Sequence, residues 1–389
     1  MKLTIPFNGQ SDLLERINKE KAVEVYGKLS QDFIGGARSS SVSPFVSKKL
    51  LVSCIKQTHR YGMKFKYLLN ATCLGNIEWT RRGQRKIRYF LDWLSKIGID
   101  TVAVSIPYLA QIVKKCYPDL EISISNTAEI DSVKKAKEWE DLGADEISLH
   151  IDINRNFPVL KAIRKNVKCR IEIIANQDTI LHCPFYSYHV LGSSHASQSN
   201  RQGLYIDYCR LSCSLKRIED PLNFIRADWI RPEDVHYYEE IGMDRLKLVD
   251  RSMVTKAIVN IVSAYTVNHY DGNLFDLLPH ASICLLTSEL NLLNKLRYFF
   301  RPFSINIFKL YKARKTITDL EIYIDNNALN GFIDFFLDNK CNLMSCDECG
   351  YCNEVTKRVV KVNPVYQENI FRLNRKFLDQ LISGDIFKY

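Results

Sequence analysis

Apolar and polar positions in the first two-thirds of the chain form a repeating series of short apolar runs and amphipathic segments. Residues 22–29, AVEVYGKL, predict a first strand, and a glycine-containing loop, DFIGGARSSS, follows it. A helix is expected from about Pro44 to Tyr61, closed by Gly62, because glycine takes the left-handed cap without steric cost. Residues 64–70, KFKYLLN, predict a second strand. The segment GQRKIRYFLDWLSKIG places Ile87, Phe90, Leu91, Leu94 and Ile97 on one helical face. Further strands are expected at DTVAVSIPY from Asp100, LEISISN from Leu120, DEISLHID, and CRIEIIAN from Cys169. A seventh is ADWIRP near Trp229, and an eighth is DRLKLVDR from Asp244. Helical patterns separate them, among them PEDVHYYEEIG, which opens with proline and acids as a helix N-terminus should.

Eight strands alternating with helices imply parallel pairing with helical crossovers. At about 250 residues this favours a (β/α)8 TIM-like barrel over an open doubly wound sheet. No GxGxxG follows any predicted strand, which weakens a dinucleotide-binding alternative. Barrel chemistry sits at the carboxyl ends of the strands. Those ends read Tyr26, Asn70, Ser105, Asn126, His150, Asp152, Glu172, Asn176, Arg231, Asp250 and Arg251. The pattern changes near Asp271, so residues 1–270 are expected to form the barrel and 271–389 a C-terminal extension.

Between the sixth and seventh predicted strands lies a polar loop far longer than the usual connection. Its segment to Cys213 carries Cys183, Cys209 and Cys213 with His182, His189 and His195. Cys209 and Cys213 are four apart and share a face if that stretch is helical. Three thiols invite a metal centre. The fourth ligand is left open between Cys73, just after the second strand on the same barrel face, His182, Asp207 and a substrate atom. A second group, CNLMSCDECGYC, spaces Cys341, Cys346, Cys349 and Cys352 as C-x4-C-x2-C-x2-C. Four closely spaced thiolates suit tetrahedral zinc or an iron–sulfur cluster, and the overlapping CxxC steps favour a 4Fe–4S cluster. Cys54, Cys116 and Cys284 read as packing residues in apolar helices.

Composition sharpens this picture only in part. Twelve cysteines, without the apolar run of a signal peptide, point to a cytoplasmic protein using thiols for metal or redox chemistry. No stretch approaches the ~18 apolar residues of a membrane span. The net charge of +10 fits an RNA or acidic partner, and equally a chain with widely spread lysines. The densest basic segment, residues 293–315, interleaves lysine and arginine with aromatics; it suits nucleic acid or membrane-surface contact, or a linker helix with snorkelling lysines.

The stretches VEVYGKLSQDFIGGARSS, KFKYLLNATCLGN, and IEIIANQDTILHCPFYSYH with YIDYCRLSC resemble the collagenase-like peptidase family U32, over roughly residues 1–275. The family was named for a peptidase activity of unknown mechanism. Branches of it are barrel proteins with a 4Fe–4S cluster on four cysteines, including oxygen-independent ubiquinone-pathway hydroxylases and proteins that hydroxylate RNA bases. The resemblance implies that Cys183, Cys209 and Cys213 hold such a cluster. The family's fourth cysteine is unmatched here, where the chain reads IRPEDV after the seventh strand and Ser30 after the first. The reading is therefore an iron–sulfur barrel enzyme acting on a small molecule or RNA in an anaerobic setting. His150, Glu172 and Asn176 are its catalytic candidates, and Asn70, Asn126, Arg231 and Asp250 its substrate-binding ones. Two 4Fe–4S clusters are expected, with zinc as an alternative at the C-terminal site. An electron-donor protein and a paired subunit are the expected partners. The alternatives are a peptidase, against which no HExxH or GxSxG stands in the chain, and a non-catalytic iron–sulfur partner subunit.

Overall fold

Eight parallel strands close into a barrel in the computed structural model, which describes residues 1–200, 205–279, 300, 304–315, 321–338, 341 and 344–388. The strands are β1 (Lys2–Pro6), β2 (Ala22–Gly27), β3 (Lys64–Leu69), β4 (Thr101–Val104), β5 (Glu121–Ile124), β6 (Glu146–Ser148), β7 (Arg170–Ile174) and β8 (Arg245–Lys247). β8 pairs with both β7 and β1, which closes the ring. This is the expected (β/α)8 barrel, with two strands assigned differently. Lys2–Pro6 supplies the first strand, which the alternation of residues does not reveal. The stretch near Trp229 is not a barrel strand, because β7 and β8 pair directly, Ile173 opposite Leu246. It joins the strand region through the Ile230 amide, which donates to the Ala175 carbonyl at 2.7 Å. The long loop therefore follows β7, the seventh strand.

The crossover helices are α1 (Lys48–Arg60), α2 (Arg81–Lys96), α3 (Pro107–Cys116), α4 (Val133–Asp141) and α5 (Phe157–Asn166). Side-chain caps fix where three of them start. Ser47 accepts from the Leu50 amide at 3.2 Å, Thr80 from Gly83 at 2.9 Å and Asn156 from Val159 at 3.2 Å. Gly83 is required there, since a Cβ would sit 1.7 Å from the Ile77 carbonyl oxygen. α2 buries Ile87, Leu91 and Leu94 against the barrel, the face its periodicity predicts. Between β7 and β8 run α6 (Tyr186–Ala196) and α7 (Tyr208–Glu219), and α8 (Thr255–Val267) follows β8.

Strand residues facing the helices are apolar, but the inside of the barrel is charged. Glu24, Lys66, Glu146 and Glu172 are fully buried there, with Arg245 and Lys247 nearly so. Lys66 Nζ lies 2.7 Å from Glu24 and 3.1 Å from Glu172, and also pairs with Glu146. Arg245 bridges Glu24 at 3.1 Å and Glu146 at 3.0 Å, while Lys247 reaches Glu172 at 3.3 Å. Tyr26, Leu68 and Ala103 form an apolar cluster of their own.

Beyond residue 300 the described chain packs back on the barrel. β9 (Ile322–Ile324) and β10 (Val360–Val362) pair antiparallel. A helix at Ile307–Lys315, α9, precedes them; α10 (Tyr351–Val359) runs into β10, and α11 (Pro364–Ile382) follows it. α11 lies against α7 through a separate apolar cluster that includes Leu211, Leu215, Ile305, Phe377, Leu378 and Ile386. The helix that carries Cys209 and Cys213 is thus braced by the C-terminal extension. Of the basic 293–315 segment, Lys295, Arg297 and Arg301 lie outside the described residues, as does Cys284. Among the described residues, no helix is long and apolar enough to cross a membrane.

Candidate active site at the mouth of the barrel

A cavity of about 260 Å³ opens at the carboxyl ends of the strands. Its floor is the Tyr26–Leu68 layer and its walls are the glycine-containing loop after β2, the loop after β8, and α6 and α7. Cys183, Cys209 and Cys213 all line it. Cys183 comes from the turn before α6, while Cys209 and Cys213 stand on consecutive turns of α7. Asp207 caps α7 by accepting from the Arg210 amide at 3.0 Å and pairs with His189 at 3.0 Å.

The thiols lie close enough to influence one another. Burial pushes Cys209 up to about 11, and Asp207, Cys183 and Cys213 add to the rise. Burial also raises Cys213, against the opposing charge of Arg217. Arg217 is itself buried; it pairs with Asp178 at 3.0 Å and lies in the field of Cys213 and Cys183. Such thiols stay protonated beside nothing but protein, and become thiolates when a cation binds them. Arg217 then offsets part of the negative charge. Among the described residues, only Glu24, Glu146 and Glu172 bring three ligand atoms within 4.8 Å of one another. The Lys66 ammonium already occupies the space between those carboxylates. Cys183, Cys209 and Cys213 do not bring their sulfurs within that mutual distance.

Other expected site residues divide. Asn70, Asn126 and Asp250 line the cavity. Asn70 donates to Ser125 Oγ at 3.0 Å, Asn126 to Tyr186 Oη at 3.4 Å, and Asp250 pairs with Arg38. Glu172, Asn176, His150 and Arg231 do not reach it. Glu172 sits lower in the barrel, where Lys247 and Lys66 outweigh burial and hold its carboxyl well below the usual range. Asn176 spends its amide on the Val249 amide and carbonyl and on the Leu277 carbonyl, tying β7 to the segment after β8. His150 packs edge-on against Tyr186 at 4.8 Å, with Asp152 3.7 Å from its Nδ1, and Tyr186 rather than His150 meets the cavity. Arg231 is buried and binds Asn326 at 3.0 Å, the Leu329 carbonyl at 2.7 Å and Asn330 at 2.9 Å, so it anchors the extension. Cys73 lies off the cavity wall, its sulfur accepting the Gly75 amide at 3.2 Å. Cys54 is buried as expected, while Cys116 is exposed and accepts from Arg88 at 3.3 Å.

The linear pattern did not single out Arg38, Arg217 or Tyr186. Arg217 stands four residues after Cys213 on one helix face, a spacing that could have found it. Tyr186 follows Cys183 by three residues in the same loop, while Arg38 comes from a distant segment that only ring closure brings to it.

The C-terminal cysteines form a second, shallower group. Cys346 and Cys349 occupy one helical turn, capped by the Ser345–Glu348 capping box and ended by Gly350 in the left-handed conformation. Burial pushes Cys352 up to about 11, with Cys341, Cys346 and Cys349 adding to the rise. The group sits over Arg155, which stacks on Trp229 at 4.5 Å and donates to the Ile225 carbonyl at 2.8 Å. Asp228, 3.9 Å from Arg155, is pushed up to about 7 by burial.

A sequence profile of peptidase family U32 matches residues 21–270. The chain belongs to peptidase family U32. It is 30% identical over 352 residues to the uncharacterized protease MJ1657 of Methanocaldococcus jannaschii, covering 90% of this chain and 93% of that protein. The solved U32 peptidase Mk0906 superposes with a TM-score of 0.50 at 21% identity, over 64% of this chain and 93% of its own. That likeness is one of fold. The family barrel is thus shared, and the family and relative names point to an enzyme.

Proposed function

We propose that this U32 barrel is an iron–sulfur enzyme, with Cys183, Cys209 and Cys213 as three ligands of a 4Fe–4S cluster at the barrel mouth. The observation that carries the reading is the convergence of these three thiols on one cavity wall beside a buried arginine. Asp207 lies on the same wall and is one candidate for the fourth ligand; a substrate atom is the alternative. Cys341, Cys346, Cys349 and Cys352 are the ligands of a second cluster, whose shallow position suits electron entry from a donor protein. A 4Fe–4S cluster supplies one-electron redox chemistry when bound. The chain's own residues do the rest. Tyr186, Val190 and the Tyr26–Leu68 floor limit water, Asn70 and Asn126 offer amides to a substrate, and His189 with Asp207 can hold a proton at the wall. The supported reaction class is oxygen-independent hydroxylation, or a related redox modification, of a small molecule or an RNA base, with the oxygen atom taken from a donor other than dioxygen.

The test is anaerobic purification with iron and sulfide analysis of the wild type and of a Cys183→Ser/Cys209→Ser/Cys213→Ser variant. The variant should lose about half of the iron. Zinc in place of iron, or iron unchanged by the variant, overturns the reading. Peptide hydrolysis by metal-free protein would instead support the activity after which the family is named.

A further inference from the structure

Arg251 lines the mouth cavity, is only 5% exposed, and makes no hydrogen bond or ion pair among the described residues. Its neighbours are committed elsewhere. Asp250 pairs with Arg38 and accepts the Ser252 amide at 2.9 Å. Asp32 binds Lys28 at 2.8 Å, Tyr67 Oη at 2.8 Å and the Gly35 amide at 2.6 Å. Other cations of the mouth have partners: Arg217 has Asp178, and Lys247 has Glu172. Burial, and then the nearby charge of Arg38, lower the pKa of Arg251, and the neighbouring Tyr26, Asp250 and Tyr67 offset that cost only in part. A buried guanidinium with its donors unused is what a site for an oxyanion looks like before the ligand arrives. Its planar fork matches two oxygens of one carboxylate or phosphate group.

We infer that Arg251 is the anchor for a singly charged oxyanion of a small substrate, a carboxylate or a phosphate diester, seated in the cavity with its reactive part toward Cys183, Cys209 and Cys213. One uncompensated positive charge calls for one negative charge, and about 260 Å³ admits a ring-sized group rather than a folded polymer. The inference rests on the reading of the mouth as the reaction site but not on iron, and the two fail separately. Binding is measured on the full-length protein both with its metal and after iron removal.

The probes are sodium benzoate, inorganic phosphate and the uncharged isostere benzamide, titrated calorimetrically. Wild type should bind benzoate or phosphate at least tenfold more tightly than benzamide, and whichever anion wins names the group. Arg251→Met should lose that preference at least tenfold. Arg251→Lys should keep part of it, having the charge without the fork. The ligand-free Arg251→Met protein should melt at the wild-type temperature or above, because an unpaired buried charge has been replaced by an apolar chain of similar length. Three results overturn the proposal: benzamide binding as well as benzoate, anion binding undiminished in Arg251→Met, or an Arg251→Met protein that is unstable or unfolded, which would make the residue a structural one.

Discussion

The interior of the barrel and its mouth are both rich in charge, and they use it in opposite ways. Inside, Glu24, Glu146 and Glu172 face Lys66, Arg245 and Lys247, and each carboxylate lies within ion-pair distance of a cation. At the mouth, burial raises the pKa of Cys209 and Cys213, and Arg251 has no hydrogen-bond or ion-pair partner among the described residues. The first arrangement is closed, and a ligand could enter only by breaking it. The second is open, and its unmet electrostatic demand is met by something from outside. Buried charge alone therefore does not mark a site; buried charge without compensation does.

The largest effect expected from breaking this contrast is in the interior. Lys66→Met leaves three carboxylates facing one another and should cost about 3–5 kcal/mol, read as a lower midpoint in urea. A smaller loss than that of Arg251→Met would remove the distinction between the two regions. Next comes pH. Asp228, between the barrel and the C-terminal cysteines, has a folded value raised to about 7, against about 3.9 in an unfolded chain. Between pH ~4 and ~7 the unfolded state gives up a proton that the folded state keeps, so stability falls as pH rises through that window. In metal-free protein Asp228→Asn should reduce this slope, of which Asp234, raised to about 6, keeps a part, and leave the variant more stable above pH 7. A wild-type curve that is flat from pH 4 to 7 would remove the buried neutral carboxyl from the account. The smallest change in stability is expected for Cys213→Ser in metal-free protein, about 1 kcal/mol or less by thermal melting, because its thiol is tied to the fold by one weak sulfur contact with the Ile180 backbone, which a serine hydroxyl can also accept.

Much of this architecture is legible in the linear pattern, and the failures are local. Seven of the eight barrel strands follow from short runs between turn signals, because the residues that face the helices are apolar even where the inward-facing ones are charged. Lys2–Pro6 escaped because the strand is five residues long and ends in a proline, which reads as a turn signal. The Trp229 stretch imitated a strand because it is extended and buried, yet its place in the ladder is taken by β8. Strand-end logic put Glu172 at the mouth, but the side chain points into the barrel one layer below. Cys183, Cys209 and Cys213 were visible as a set from spacing. Arg38 and Arg251, some 210 residues apart, meet only because the ring closes, and no local pattern encodes that.

The central claim is that the open region at the mouth is completed by iron. The direct measurement is iron and acid-labile sulfide per chain, with electron paramagnetic resonance of the dithionite-reduced protein, after strictly anaerobic purification. The account predicts about eight irons per chain, falling to about four when Cys183, Cys209 and Cys213 are all serine. Iron-free protein that carries one zinc at the mouth, or an iron content indifferent to those three cysteines, would contradict it.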